Sequence, residues 1–265
     1  MSLKQKYGQL ALVAGASEGI GAAFSEYLAA GGMNLVLVAR RQEPMEKLAA
    51  SIRNKYHVSV DCISCDLSGA EAANTIMKTL HEREINLLVY NAALSYIGPF
   101  ENEGTGHHTS LAFTNMISPM NMVHHFGNQM LEKGNGAIIM MASLAGFQGS
   151  GFLAAYAASK AFTRILAESL WYEWKERGVD VIACCAGATS SQNYLDTSPG
   201  KTGPFTPRVL SPEEVVNECM KKLGKTPSYI TGRGNRVASF IMQKILPRKM
   251  AINIMGDTTR KMYRL

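Results

Sequence analysis

The chain has 265 residues, 46% of them hydrophobic, and a formal net charge of +6 at pH 7, which suits one large α/β domain or two small ones. No apolar run reaches the roughly 18 residues of a membrane span, and the start MSLKQKYGQL lacks the apolar core of a secretory signal, so we expect a cytoplasmic protein. The basic excess suits anionic ligands such as nucleotide phosphates. Lys and Arg form no stripe interleaved with aromatic residues, which argues against nucleic-acid binding.

The five cysteines are an odd number, and three of them lie in apolar runs, as is typical of reduced and mostly buried thiols. Cys62 and Cys65 form a C-x-x-C sequence. The chain has no second such pair, and VDCISCDL has the pattern of a strand, so we predict neither a metal site nor a redox role.

Apolar runs alternate with helical patterns along the first half of the chain. The predicted strands are QLALVAG, MNLVLVA, VSVDCISCD and INLLVYNAA, and the predicted helices between them are IGAAFSEYLAAGG, EPMEKLAASIRNKY and EAANTIMKTLHERE. Strands that alternate with helices favour a mostly parallel, doubly wound sheet with helices on both faces.

The second half continues the alternation. A helix is predicted from about Thr109 to Leu131, then the strand GAIIMMAS, a helix from about Phe152 to Arg177 and the strand VDVIACCA. A helix begins again at SPEEVVNECMKKL, where Ser211 and Glu214 form a capping box around Pro212, and TPSYITG is the last predicted strand.

Two stretches do not fit this alternation. Residues 187–210 have no clear periodicity and are punctuated by Ser, Thr, Gly and Pro, and a loop of this length in a compact domain predicts a substrate lid. Residues 235–265 pair apolar positions with Lys and Arg, so a basic helical tail is predicted. Such a tail suits contact with a membrane surface or a partner, although a solvated face on helices packed against the core is the favoured interpretation.

A glycine-rich turn joins the first strand to the first helix. Gly15, Gly19 and Gly21 in AGASEGIG allow backbone amides to approach a diphosphate, and the helix N-terminus adds a favourable dipole. In dinucleotide-binding folds an acidic residue about 20 positions later holds the adenosine ribose. Arg40 lies there instead, 19 residues after Gly21 and beside Arg41, and guanidinium groups suit a 2′-phosphate. The pair therefore favours NADP over NAD.

Tyr156 and Lys160 are four residues apart, so they share one face of the predicted helix. A nearby ammonium favours the phenolate, so we expect Lys160 to lower the pKa of Tyr156 toward the range useful for acid and base catalysis. Ser143, 13 residues before Tyr156, ends the preceding strand and is placed to bring its hydroxyl beside the phenol.

In their order and spacing, GASEGIG, CDL at 65–67, NAA at 91–93, Asn115, Ser143 and YAASK resemble the short-chain dehydrogenase/reductase family over nearly the whole chain. The resemblance implies a single Rossmann-like domain, NAD(P)-linked chemistry, and dimers or tetramers formed through the helices that carry Asn115 and Tyr156. It implies Tyr156 as general acid, Ser143 polarising the substrate oxygen, and Lys160 binding the nicotinamide ribose. Asn115 would support a proton-relay water. The implied cofactor contacts are Gly15, Ser17, Gly19, Ile20, Gly21, Arg40, Arg41, Asp66, Leu67, Asn91, Ala92, Tyr156, Lys160, Gly187, Thr189 and Ser191.

The resulting hypothesis is an NADPH-dependent oxidoreductase that reduces a ketone or aldehyde, or oxidises the corresponding alcohol, by hydride transfer with Tyr156 as the general acid or base. The alternative is a non-catalytic NADP-binding sensor or interaction module, which would not require Ser143, Tyr156 and Lys160 together. Phe152, Tyr194 and Phe205 near the lid favour a partly apolar pocket. Fatty-acyl, steroid-like, sugar and small xenobiotic carbonyls all remain open.

Overall fold

The computed structural model describes residues 2–81, 83–191, 194, 195, 197 and 208–265. Seven parallel strands form one sheet in the order β3-β2-β1-β4-β5-β6-β7. The strands are β1 (Leu10–Ala14), β2 (Asn34–Ala39), β3 (Val60–Ser64), β4 (Leu87–Tyr90), β5 (Gly136–Ser143), β6 (Val179–Ala186) and β7 (Ser228–Ile230). The strand order reverses direction between β1 and β4, which confirms the predicted doubly wound topology.

Helices cover both faces of this sheet. They are α1 (Leu3–Tyr7), α2 (Gly19–Ala30), α3 (Gln42–Tyr56), α4 (Ala72–Leu80), α5 (Thr105–Ala112), α6 (Ser118–Lys133), α7 (Ala154–Trp174), α8 (Pro212–Met220), α9 (Arg233–Phe240) and α10 (Arg248–Tyr263). A π-helical segment, Phe113–Ile117, joins α5 to α6, and a second, Ile241–Ile245, continues α9.

The core has two layers, one on each side of the sheet. Ala11 and Val13 of β1 pack with α2, α3 and α8 on one side, whereas Leu12 and Ala14 pack with α4, α6 and α7 on the other. This alternation follows from the two-residue period of a strand. Cys62 packs with the first layer and Cys65 with the second, so their sulfur atoms lie on opposite faces of the sheet.

Helix α1 was not predicted from the sequence. Ser2 caps it, since the Ser2 hydroxyl accepts from the amide of Gln5 and the Gln5 side chain accepts from the amide of Ser2. The Tyr7 hydroxyl then donates a 2.7 Å hydrogen bond to the Asp180 carboxylate at the start of β6. The helix is therefore fastened to the amino-terminal edge of the sheet, opposite to the edge where the glycine turn lies.

The predicted capping box of α8 is confirmed, with Ser211 and Glu214 bonded in both directions around Pro212. The predicted tail is helical, as α9, the second π segment and α10. The two ends of the predicted lid pair with each other, because Leu210 exchanges backbone hydrogen bonds with Ala188 and Ser190. Most of the lid, including Phe205, lies outside the described residues. None of the helices described here combines the length and the apolarity needed to span a membrane.

Candidate active site

The predicted site residues converge at the carboxyl-terminal edge of the sheet. The turn after β1 and the segment after β4 lie side by side there, because β1 and β4 are neighbours at the point where the topology reverses. The Asn91 side-chain amide donates a 2.9 Å hydrogen bond to the Gly15 carbonyl, and the amides of Asn91 and Ala92 both donate to the Ala14 carbonyl at 2.9 Å. These bonds hold the two segments together.

The glycine turn is built for close backbone approach. Gly15 has a φ of +80°, and a Cβ there would lie 2.6 Å from the amide nitrogen of Ala92. A Cβ on Gly21 would overlap the carbonyl oxygen of Gly15. Larger residues would therefore force the turn away from β4 and α2 away from β1, so the sequence requires glycine at both places.

The amino-terminal end of α2 is open for an anion. Its N-cap residue Glu18 has extended backbone angles, and its side chain makes no capping hydrogen bond. The amides of Gly19, Ile20 and Gly21 in the first turn are therefore without a side-chain cap, and the helix dipole is directed toward that end. Gly19 lies against Ser191, whose Cβ would be 3.0 Å from a Cβ at Gly19. These residues fit a dinucleotide diphosphate.

Arg40 and Arg41 follow β2 and lie beside this turn. Arg41 is the N-cap residue of α3 and forms a 2.7 Å ion pair with Glu18, while its guanidinium is 3.4 Å from the Ser17 hydroxyl. The Arg40 carbonyl accepts from Ser64, and its side chain is exposed. The structure thus places both arginines at the predicted position and shows that Glu18 already neutralises one of them.

The remaining predicted cofactor residues lie at the same edge. Asp66 follows β3 and accepts a 3.0 Å bond from the Ser68 amide, and the carbonyl of buried Leu67 accepts from Ser118. Gly187 follows β6, and the Thr189 hydroxyl donates to the Gly187 carbonyl at 3.2 Å. Sequence reasoning missed Asn235, a buried residue of α9. Its side-chain nitrogen would lie 2.6 Å from a Cβ on Gly187, so α9 supports this loop.

Ser143 and Tyr156 are brought together by a tight turn on α7. Ser143 ends β5 and begins a 3₁₀ turn, Leu144–Phe147, in which its hydroxyl accepts from the Ala145 amide at 3.2 Å. In this turn Gly146 packs on the backbone of α7, because a Cβ there would lie 2.6 Å from the carbonyl carbon of Lys160. The close approach places the Ser143 side chain beside the phenol of Tyr156, as the sequence predicted.

The direction of the Tyr156 pKa differs from the expectation. Burial raises the pKa of Tyr156, hydrogen bonding with the Ser143 side chain acts to lower it, and the nearby Tyr263 phenol raises it further. The Lys160 ammonium is 5.7 Å from the centre of the Tyr156 ring and donates a 2.7 Å hydrogen bond to the Met141 carbonyl. Burial lowers the pKa of Lys160 to about 8. The expected lowering of the tyrosine pKa by this lysine is therefore corrected, because burial raises that pKa and the group that acts against burial is Ser143.

Asn115 connects the segment after β4 with the catalytic helix. It lies in the first π-helical segment, where its side-chain oxygen accepts from the Leu94 amide at 2.8 Å. Its amide nitrogen donates to the Leu94 carbonyl at 2.8 Å and to the Ser159 hydroxyl at 2.9 Å. Both amide hydrogens are thus used within the protein, and Asn115 holds Leu94 against the residue next to Lys160.

Helix α10 forms one wall of the site, a role that no pattern in the sequence predicts. Ile252 packs on Gly149, and a Cβ on Gly151 would lie 3.2 Å from the Cα of Gly256, so α10 lies on the segment that leads into α7. Phe152 in this segment has a φ of +64°, which is strained for a bulky residue. Near its carboxyl-terminal end, α10 brings Tyr263 close enough to Tyr156 to raise its pKa.

The glycine turn lies where the strand order reverses, between β1 and β4, and α7 carries Tyr156 and Lys160. Together these features define the class of the protein, a dinucleotide-dependent oxidoreductase. The chain belongs to the short chain dehydrogenase family, whose sequence profile matches residues 9–200. It is 35% identical over 240 residues to the 7beta-hydroxysteroid dehydrogenase of Collinsella aerofaciens, across 89% of this chain and 90% of that protein.

Solved structures agree with this assignment. A structure described as giving insights into 7beta-hydroxysteroid dehydrogenase stereoselectivity matches with a TM-score of 0.91 and 32% identity, covering 96% of this chain and 99% of that one. A short-chain dehydrogenase from Sphingobium yanoikuyae in complex with NADPH matches with a TM-score of 0.76 and 25% identity, covering 90% and 96%. The protein is thus an oxidoreductase of this family that acts on a carbonyl or the corresponding alcohol.

Proposed function

We propose that the protein is an NADP(H)-dependent hydroxysteroid dehydrogenase that interconverts a ring hydroxyl and a ring ketone of a steroid. The observation that carries this proposal is the placement of Ser143, Tyr156 and Lys160 at one edge of the sheet, in a chain that resembles a 7beta-hydroxysteroid dehydrogenase along nine-tenths of its length. Two similar proteins support the cofactor, since one was solved in complex with NADPH and the other with bound NADP.

The residues of this chain take the following roles in the proposal. Bound nicotinamide supplies the hydride in the reductive direction. The Tyr156 phenol is raised in pKa by burial, so it is protonated at neutral pH and is ready to donate its proton to the substrate oxygen. The Ser143 hydroxyl holds the same oxygen and polarises the carbonyl. Lys160 holds the nicotinamide ribose, and its ammonium is kept on the Tyr156 ring by the Met141 carbonyl.

The proton removed from Tyr156 must be replaced from solvent. We propose that Asn115 positions a relay water with its main-chain carbonyl, since its side-chain amide hydrogens are used by Leu94 and Ser159. The Thr163 hydroxyl lies 3.5 Å from this carbonyl oxygen, at the limit of a hydrogen bond, which leaves acceptor capacity there.

The walls around Tyr156 suit a rigid apolar substrate. Phe152 and α10 close one side. Tyr194 lies near Tyr263, and the pKa of Tyr194 is raised mainly by burial and further by the Tyr263 phenol. Aromatic side chains near Tyr156 favour a flat ring system whose orientation is set by one oxygen, which supports a steroid.

NADP is proposed over NAD because Arg40 and Arg41 lie where an acidic residue would otherwise bind the ribose.

A homodimer or homotetramer is proposed through α5 to α7. Exposed Met120, Ile165 and Tyr172 on α6 and α7 support it, because large apolar side chains in water mark interfaces. A cytoplasmic location is proposed because all five cysteines are free thiols.

The deciding experiment supplies NADPH with a 7-ketosteroid, a 3-oxoacyl thioester, an aldose and a small aromatic ketone, and follows the loss of NADPH absorbance. We expect turnover of the steroid, and Tyr156→Phe should lower kcat by about 10²–10⁴-fold with NADPH affinity nearly unchanged. Tyr172→Phe, at an exposed tyrosine of the same helix, is the matched control. Full turnover by Tyr156→Phe would refute the catalytic assignment, and turnover of another substrate alone would refute the steroid.

The second candidate, a non-catalytic NADP-binding module, has a distinct signature in the same experiment. It predicts tight NADPH binding with no turnover of any substrate in the panel. The buried Lys160, held on the Tyr156 ring, speaks against it, because a buried cation is costly and a binding module gains nothing from it.

A further inference from the structure

The positive charge of the chain is concentrated at its carboxyl-terminal end. Residues 231–265 contain eight Lys or Arg and one acidic residue, Asp257, which gives +7. Since the whole chain has +6, residues 1–230 have a net charge of −1. Among the described residues, Arg236 is the member of this group that forms an ion pair, with Glu218, and the other seven cations are exposed. The last segment therefore attracts anions while the rest of the molecule is nearly neutral.

An apolar row runs along the same segment. Val237, Phe240, Ile241 and Ile245 recur at intervals of three and four residues, and between 40% and 62% of each side chain is exposed. Arg233 and Lys244 continue this row at the helical spacing, and both are exposed. At about 1.5 Å per residue, the row from Val237 to Ile245 is about 12 Å long. Contiguous exposed apolar side chains of this kind mark an interaction surface.

The opposite side of α9 is packed against the protein. Asn235 is buried against Gly187 and donates to the Thr231 carbonyl at 2.9 Å, and Ser239 is also buried. After the second π segment, Ala251 of α10 is 1% exposed. The apolar row therefore belongs to a docked helix with one side in the core. Its exposure is a stable property of the folded chain.

The charge identifies what this face binds. A second copy related by a two-fold axis would place the surface against itself and bring its exposed cations together, which opposes association. Nucleic acid would be bound by the cations alone, and the apolar row would stay in water. A bilayer that contains anionic lipids satisfies both features, because cations bind the headgroups while apolar side chains enter the acyl boundary.

We propose that this surface docks the protein on anionic lipid bilayers. We define the tail surface as Arg233, Val237, Phe240, Ile241, Lys244, Ile245 and Lys249. The tail surface lies outside the candidate active site, so the proposal does not depend on the steroid substrate. The favoured expectation from the sequence was a solvated face on helices packed against the core. The structure changes this interpretation because the side chains in solvent include four large apolar ones.

The electrostatic half is tested by co-sedimentation of the full chain with vesicles of phosphatidylcholine alone or with about 30% phosphatidylglycerol. We expect binding to the anionic vesicles that falls as salt is added. Lys244→Glu with Lys249→Glu should weaken this binding by at least about 25-fold, or about fivefold for each charge removed. The control pair Lys78→Glu with Lys221→Glu makes the same change in net charge at exposed sites elsewhere and should alter binding by less than about threefold.

The apolar half is tested by Phe240→Ser, with Phe100→Ser as control, since the two side chains are 60% and 57% exposed. Phe240→Ser should weaken vesicle binding about tenfold and Phe100→Ser should leave it unchanged. Each variant should bind NADPH as the wild type does, which reports correct folding. The proposal is overturned if the wild type stays in the supernatant with anionic vesicles, or if both control variants lose binding equally. It is also overturned if Phe240→Ser changes only the mass of the protein in solution, because the tail surface would then bind a second copy of the chain. Unchanged vesicle binding by Phe240→Ser would overturn it as well, because the surface would then bind by charge alone, as it would bind an acidic macromolecule.

Discussion

The Lys160 ammonium donates a 2.7 Å hydrogen bond to the Met141 carbonyl and lies 5.7 Å from the centre of the Tyr156 ring. The cation is thus held by a backbone dipole and an aromatic face, and no carboxylate pairs with it among the described residues. Such partners compensate burial only in part, which is why the pKa of Lys160 is lowered to about 8. Burying the charged Lys160 therefore lowers the free energy of unfolding, while it places the ammonium beside Tyr156 in the active site.

Replacing Lys160 by Met should stabilise the protein while abolishing its activity. The pKa of Lys160 falls from 10.5 to about 8, so the folded state releases its proton before the unfolded chain does. Stability is therefore lowered below about pH 8 and recovers as the pH rises from about 8 to about 10.5. We expect Lys160→Met to raise the free energy of unfolding at pH 7 by about 1–3 kcal/mol, because the charge no longer has to be buried.

Urea denaturation without cofactor, at pH 7 and near pH 10, measures this effect. The difference between wild type and variant should shrink at the higher pH. Lys78→Met, at an exposed position on α4, is the control and should change stability by less than about 0.5 kcal/mol. A Lys160→Met variant less stable than wild type at pH 7 would show that the lysine contributes more by its packing and its hydrogen bond than its charge costs.

Arg40 should carry most of the selectivity for NADPH. Its side chain is exposed at the end of β2, whereas Arg41 is already paired with Glu18 at 2.7 Å. A charge-assisted bond to phosphate contributes about 1.5–3 kcal/mol, so Arg40→Ala should weaken NADPH binding about 10-fold to 100-fold. NADH affinity should stay the same. A fluorescence titration with both cofactors tests this, with Lys47→Ala on α3 as control, and equal affinities in the wild type would contradict NADP selectivity.

Glu18→Gln should tighten NADPH binding. The carboxylate neutralises Arg41 and lies at the amino-terminal end of α2, where a diphosphate would be repelled by it. The ion pair is partly exposed, so freeing Arg41 is worth about 0.2–1 kcal/mol, or up to about fivefold in affinity. The same titration measures it. Weaker binding by Glu18→Gln would show that the carboxylate is needed to orient Arg41.

The parts of the fold that depend on local pattern could be predicted from the sequence. Strand β5 and helix α7 follow from apolar runs and helical spacing, and the Ser211 cap follows from its capping box. Ser143, Tyr156 and Lys160 converge because a strand end and one helix face fix their directions. The capping box of Ser2 and Gln5 identifies the start of α1 by the same rule.

The rest depends on contacts between distant parts of the chain. Tyr263 reaches Tyr156 because two glycines, Gly151 and Gly256, let α10 approach the segment before α7. No spacing in the sequence relates these residues. The raised pKa of Tyr156 was missed for a similar reason, since the sequence shows that Lys160 is four residues away but not that Lys160 is buried and Tyr156 is partly withdrawn from solvent.

Two glycines give opposite predictions for the same substitution. A Cβ on Gly21 would overlap the Gly15 carbonyl and lie 2.9 Å from the Asn91 side-chain nitrogen, so Gly21→Ala must displace the turn from α2. We expect a loss of about 1–3 kcal/mol in the free energy of unfolding and at least about tenfold weaker NADPH binding, because the amides at the start of α2 lose their common orientation. Gly106 is exposed in α5 with no atom within 4 Å of a built Cβ, so Gly106→Ala should gain up to about 1 kcal/mol. Urea denaturation and cofactor titration of both variants measure the contrast. Equal effects on stability and affinity would mean that the turn tolerates a side chain and that the close approach of α2 to β1 is not what holds the cofactor.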